Sequence, residues 1–208
     1  MHDVTEPWSH NVHYHSVILD AVPADCARAL DVGCGQGALT RRLRTRVPEV
    51  TGIDRDQRSI ELARAHPGAG DITYLHGDFL AEPLAPGSFD LVTAIASLHH
   101  MDAEAALARM RELLRPGGVL AVVGLARGRM PLDVAQAVPA VIGTQLHRLA
   151  VARNRAEAPG TTGYRSPVVW PPPLSYRAMR RLAERLLPGV RYRRHLYWRY
   201  SLTWSKPT

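Results

Sequence analysis

The chain has 208 residues, the length of a single domain, and at this size it buries roughly 70% of its unfolded surface without needing a disulfide or metal staple. Two cysteines, Cys26 and Cys34, are too few for a disulfide framework, no apolar run approaches the roughly 18 residues of a membrane helix, and residues 1–15 lack the basic-then-apolar stretch of a signal peptide; a reduced, cytoplasmic protein is expected. The net charge of +7 raises a nucleic-acid reading, but it comes from 25 Arg and one Lys beside 27 Ala, which resembles the amino-acid usage of a GC-rich genome more than a phosphate-tracking surface.

Residues Asn11 to Val22 are expected to form a helix closed by Pro23. Arg28 to Val32 (RALDV) is an apolar run ending at a glycine cluster, the pattern of a buried strand. Ala38 to Arg46 follows as a helix and Val50 to Ile53 as a second buried strand ending at Asp54. Asp56 caps a helix whose apolar positions Ile60, Leu62 and Ala63 precede the break at Pro67-Gly68. Next come strand Ile72 to His76, strand Phe89 to Ala96, helix Ala103 to Leu114, a turn at Pro116-Gly117-Gly118 and strand Val119 to Leu125. Strands alternating with helices predict a parallel sheet covered on both faces.

Beyond Leu125 the pattern changes. Residues 131–153 are helical in tendency, with Pro139 expected to kink or split the helix. Residues 158–173 are expected to be non-helical. Ser175 caps an amphipathic helix from Tyr176 to Leu187, with Tyr176, Met179, Leu182 and Leu186 on one face and Arg177, Arg180, Arg181 and Arg185 largely away from it. Trp198, Tyr200, Leu202 and Trp204 alternate with Tyr197, Arg199, Ser201 and Thr203, and together with Val190 to Arg194 this reads as an antiparallel pair closing the sheet. Charge follows the same division: residues 1–126 hold 11 Arg against 16 acidic residues, and residues 127–208 hold 15 basic residues against three acidic ones.

The strongest chemical signal is ALDVGCGQG, residues 29–37, in which a strand and Asp31 lead through Gly33, Gly35 and Gly37 into a helix. Glycine at these positions permits a tight turn and close approach of a ligand to the backbone. The nicotinamide fingerprint is G-x-G-x-x-G, whereas this spacing is G-x-G-x-G. Asp54, 21 residues after Gly33, ends the second strand at the same sheet edge, where it can accept hydrogen bonds from ribose hydroxyls. HGDF ends the third strand, which places Asp78 to accept from an adenine amino group and Phe79 to offer a backbone N–H. FDLVTAIASLHHM and LRPGGVLAVVG complete the series.

These motifs, in this order across residues 28–125, resemble the class I S-adenosylmethionine-dependent methyltransferases, specifically the small type 11 group acting on metabolites. The resemblance implies a Rossmann-like α/β fold, with a seven-stranded sheet, helices on both faces and the last strand antiparallel. It also implies S-adenosyl-L-methionine as cofactor. Gly33, Cys34, Gly35 and Gly37 would lie against its methionine portion with Asp31 helping, Asp54 would hold the ribose, Arg55 would pack on the adenine, Asp78 and Phe79 would recognise the adenine edge, and backbone near Ile95 would meet the methionine amino group. Trp8 to His15 reads either as an aromatic lid, with Tyr14 reaching the cofactor, or as simple packing.

One methyltransferase domain is expected over residues 1–208: an N-terminal cap (1–25), a cofactor-binding core (26–125), a substrate-side cover (126–173), and the last helix with the closing strand pair (174–208). His99 and His100, after the fourth strand, are the candidate catalytic bases, with a packing role as the alternative; His13, His15 and Tyr14 are further candidates. His10 and His13 are one helical turn apart, but no cluster with ligand spacing accompanies them, so no metal is expected. Neither cysteine is placed as a nucleophile, and Ala94-Ile95-Ala96-Ser97 stands where methylases of base amino groups carry an Asn-Pro-Pro-Tyr type motif. The expected partner is a small-molecule acceptor, methylated at O, N or C in specialised metabolism; Arg127, Arg129, Arg148, Arg153, Arg155, Tyr164 and Trp170 read either as a solvated face or as a pocket for an anionic or aromatic substrate. Neither nucleic acid nor membrane is expected as a partner, and the chain is expected to be a monomer or homodimer. The competing readings are an RNA or protein methyltransferase using the basic C-terminal half, and an S-adenosylmethionine-binding protein that transfers no methyl.

Overall fold

The computed structural model describes residues 10–128, 170–196 and 198–208, with the main chain alone for His10. The helical stretch expected at 131–153, most of the non-helical stretch after it, the residues Trp8, Arg129, Arg148, Arg153, Arg155 and Tyr164, and Tyr197 lie outside the described residues.

Seven strands form one sheet in the order β3-β2-β1-β4-β5-β7-β6. They are β1 Arg28–Val32, β2 Glu49–Asp54, β3 Thr73–His76, β4 Phe89–Ile95, β5 Leu114–Leu125, β6 Arg191–Arg194 and β7 Arg199–Ser205. The first five pair in parallel, and β7 runs antiparallel to both β5 and β6, as the sequence predicts. Among the described residues the helices are α1 His10–His13, α2 His15–Leu19, α3 Ala38–Arg44, α4 Gln57–Ala65, α5 Ala103–Leu113 and α6 Tyr176–Leu186, with a 3-10 turn at Leu98–His100.

The central strands are apolar on both sides because both sides are covered. Leu30, Val32, Val92 and Ala94 pack under α5 and α6 with Leu107, Met110 and Met179. Ala29, Leu91 and Ile95 pack under α2 and α3 with Ile18, Leu39 and Leu43, and Ile60 and Ala63 of α4 meet Ile72 and Tyr74 at the β3 edge. Asp56, Asp102 and Ser175 each accept a hydrogen bond from a first-turn amide and so fix the starts of α4, α5 and α6.

Three local expectations are corrected. The single helix from Asn11 is two short helices broken at Tyr14, whose φ of −95° and ψ of 3° leave the helical region. Pro116-Gly117-Gly118 is no free turn: β5 begins at Leu114, and the β4 partner jumps from Leu114 opposite Phe89 to Val119 opposite Leu91, so these residues form a bulge inside the strand. Trp198 precedes β7 in a left-handed conformation with φ 58°, and both faces of β7 are buried, with Arg199 and Ser201 covered as well as Tyr200 and Leu202.

Candidate active site

Strands β1 to β4 end along one sheet edge, and the segments that follow them wall a cavity of about 410 Å³, a size typical of small-molecule and cofactor sites. Residues 33–36 come from the turn after β1, 54–56 from the end of β2, 77–80 from the turn after β3, and 95–97 with His100 and Met101 from the end of β4. Asn11, Val12 and His15 close it from the N-terminal segment.

The glycine turn folds back on β2, with the Gly33 and Cys34 amides both donating to the Ile53 carbonyl at 2.8 and 3.1 Å. Gly33 and Gly35 have φ of 71° and 53°, but their missing side chains serve different ends. A Cβ on Gly33 would overlap the Cβ of Ser97, whereas a Cβ on Gly35 would meet no atom within 4 Å. The first glycine therefore lets the turn touch the end of β4, and the second leaves the cavity wall open. Asp54 anchors the turn: one carboxylate oxygen accepts from the Gly35 amide at 2.8 Å and the other from the Asp56 amide at 2.9 Å.

Asp31 is buried at 1% exposure and accepts from Thr40 Oγ1 at 2.7 Å and Thr93 Oγ1 at 3.2 Å. Burial pushes its carboxyl up to about 6 against the opposing effect of those two hydroxyls. Ser97 Oγ donates to the Val32 carbonyl at 2.6 Å, and Ala96 beside it sits at φ 53°, a conformation costing an L residue about 1–2 kcal/mol. Stored strain of this kind gathers at functional edges.

At the β3 end, Asp78 is exposed and accepts from the Leu80 amide at 2.9 Å. The Phe79 ring is buried in the core with the Arg109 guanidinium 5.6 Å from its centroid, and the residue lines the cavity. Arg55 is exposed, and its Nη1 lies 3.5 Å from the His100 carbonyl. Burial, then the Asp31 and Asp54 carboxylates, push the Cys34 thiol well above its ordinary value, which keeps it protonated and unreactive.

Gly37, Tyr14, His99 and the exposed His13 lie outside the cavity wall. Gly37 sits before α3, where a Cβ would run into the Tyr74 hydroxyl. Tyr14 is buried at 5% exposure, its hydroxyl donating to the Leu196 carbonyl at 3.0 Å; that bond turns it toward the closing strand pair, and its neighbour His15 lines the cavity instead. The His99 ring lies against that of His100, tilted by 41° with centroids 4.1 Å apart, but of the two only His100 lines the wall. Burial, then His100 and Arg199, lower His99 to about 4; burial, then Arg55, lower His100. Val12, Leu80 and Met101 line the wall with no sequence signal beyond adjacency to the motifs, and Thr40 and Thr93 were missed because their link to Asp31 is made in space. Among the described residues no group of three His, Cys, Asp or Glu could hold a metal, and no helix is long and apolar enough to cross a membrane.

The wall fits a nucleoside joined to an amino acid: it is open at Gly35, it presents anchored acceptors at Asp54 and Asp78, and it contains a buried ring nitrogen of His15 with no partner among the described residues. The family described as Methyltransferase domain matches residues 30–122. An uncharacterized methyltransferase of Mycobacterium tuberculosis is 34% identical over 203 residues, covering 97% of this chain and 98% of the relative. Malonyl-[acyl-carrier protein] O-methyltransferase of Enterobacter lignolyticus is 38% identical over 106 residues, covering 50% of this chain and 41% of that protein. The crystal structure of a SAM dependent methyltransferase from Aquifex aeolicus, 14% identical, shares the fold at a TM-score of 0.58 over 92% of this chain and 88% of its own. The chain spans about half the length of several other solved neighbours. A near-complete relative at this identity and a family match centred on the cavity strands together place the chain in the class I S-adenosylmethionine-dependent methyltransferases.

Proposed function

We propose that this enzyme methylates a small-molecule acceptor at O, N or C, in specialised metabolism and in the cytoplasm, and that residues 1–208 work as one domain with 126–173 covering the acceptor side. The observation that carries the reading is the continuous wall from Asp78 through Asp54 and the open Gly35 to Ala96. When bound, S-adenosylmethionine supplies a methyl group on a cationic sulfur, a leaving group that requires no metal.

In this reading Asp54 holds the ribose, Arg55 packs on the adenine, Asp78 and the Phe79 main chain meet the adenine edge, and backbone near Ile95 meets the methionine ammonium. The protein's contribution is orientation and exclusion of water, and orientation alone can supply about 7–11 kcal/mol of a barrier. His99 at about 4 is a poor proton acceptor for an alcohol, and the His100 ring is shifted the same way. An acceptor that arrives already nucleophilic, such as a carboxylate, an ionised phenol or an amine, suits such a wall best. The relative named for O-methylation of a malonyl group is in keeping with that class.

A second reading, methylation of RNA or protein, draws on the exposed arginines of α6 and β6, Arg177, Arg181, Arg191 and Arg193. Against it, Arg180 and Arg185 are already paired with Glu184 and Glu104, both at 2.8 Å. Transfer of labelled methyl to small acids, phenols and amines, run beside tRNA and rRNA at low and high salt, separates the two. Turnover of a small acceptor that is insensitive to salt supports the first reading, and transfer to RNA alone that collapses with salt overturns it.

A further inference from the structure

His15 opens α2 at 2% exposure, yet it lines the cavity. Among the described residues its Nδ1 has no hydrogen-bond partner. A buried ring nitrogen in that state forfeits the bond it makes with water in the unfolded chain, so a fold retains one where a ligand completes it. Burial, then Arg42 and Arg41 of α3, lower the ring to about 4. At neutral pH it is therefore uncharged, with one N–H to donate.

Its place in the fold says which part of a ligand it meets. Ile18 and Leu19 of the same helix pack with Leu39, Ile95 and Val123, on the side of β1, β4 and β5, while Asp78 follows β3 at the outer edge of the sheet. His15 and Asp78 thus border opposite ends of the cavity. Asp31, at the His15 end, is an acceptor already engaged by Thr40 and Thr93, and Val12, Ala38, Leu39 and Ile95 bring no side-chain donor. Asn11, whose amide oxygen is held by Arg199, and Gln36 also carry amide donors, but on exposed side chains that water satisfies, whereas the His15 ring is buried. With adenine at the Asp78 end, the amino-acid end of the cofactor reaches this wall, and its carboxylate needs a donor.

We propose that His15 receives the carboxylate of the methionine portion of S-adenosylmethionine through a ring N–H. This rests on the cofactor orientation proposed above. Calorimetric titration of wild type, His15→Leu and His15→Gln with S-adenosylhomocysteine and with its decarboxylated analogue tests it. The expected result is a loss of about 10–100-fold for S-adenosylhomocysteine in His15→Leu, the cost of one hydrogen bond to a charged group. No loss is expected for the decarboxylated ligand, and most of the affinity should return in His15→Gln. Equal weakening of both ligands, or of neither, overturns the proposal. Should His15→Leu fail to fold, nitrogen-15 NMR of the His15 ring in wild type decides: a shift with S-adenosylhomocysteine but not with the decarboxylated analogue supports the contact, and the same response to both overturns it. Failure of wild type to bind S-adenosylhomocysteine at all overturns the cofactor reading itself, a distinguishable outcome.

Discussion

Asp54 accepts a hydrogen bond from the Gly35 amide at 2.8 Å, across the gap between the ends of β2 and β1. Each carboxylate oxygen retains a further acceptor position after bonding one amide, so Asp54 can shape the glycine turn and still receive ligand hydroxyls. Asp54→Ala is expected to weaken S-adenosylhomocysteine binding by about 10²–10⁴-fold, two hydrogen bonds to a charged group, and to cost only about 1–2 kcal/mol of stability. Calorimetry and thermal melting read the two effects, and normal binding by the variant would refute the role given to Asp54.

Gly33 and Gly35 should fail differently. Gly33→Ala drives a Cβ into Ser97 and is expected to lower stability by about 2–3 kcal/mol through overpacking and left-handed strain. Gly35→Val meets no protein atom near its Cβ, so it should cost about 1–2 kcal/mol of backbone strain while filling the wall and abolishing ligand binding. Melting curves and binding titrations on both variants check the contrast; a Gly35→Val protein that binds normally would show that no ligand approaches that turn.

A general base contributes about 10²–10⁴-fold where one operates. If His100 orients the acceptor without taking a proton, His100→Gln should lower kcat by less than about 10-fold and leave the pH dependence of kcat unchanged. A loss of 10³-fold together with disappearance of a titrating limb would identify His100 as the base.

Stability should depend on pH through groups acting in opposite senses. His15 and His99 are lowered from 6.5 to about 4, so the unfolded chain binds more protons between those values and stability falls as pH drops through that window. Asp31 is raised from 3.8 to about 6, so its contribution is complete below the lower value and is lost as pH rises through the upper one. Asp31→Asn should therefore steepen the loss on acidification, and His15→Gln should flatten it. Denaturant titrations across pH 4 to 7 measure both slopes, and parallel curves for all three proteins would exclude these groups.

What the sequence revealed of the site was what the backbone encodes locally. The order of strand ends at Asp31, Asp54, Asp78 and Ile95 follows from apolar runs stopping at polar or glycine residues, and the wall is assembled from those ends. Tyr14 was misleading because its direction is set by the Leu196 carbonyl, 182 residues away, a contact no local pattern carries. The bulge at Pro116-Gly117-Gly118 was hidden for a related reason: Gly117 donates to the Lys206 carbonyl and Lys206 returns a bond to Gly118, so pairing with the end of the chain draws a turn-like sequence into the sheet. The division of charge is tertiary in the same way for the Arg-rich β6, which is the edge strand farthest from β3, away from the acids at the ends of β1 to β3.

The most direct measurement is calorimetric titration of the wild-type chain with S-adenosylhomocysteine and, separately, NADH. One S-adenosylhomocysteine per chain, displaced by S-adenosylmethionine, with no response to NADH is the predicted result. Tight NADH binding with no response to S-adenosylhomocysteine would contradict it.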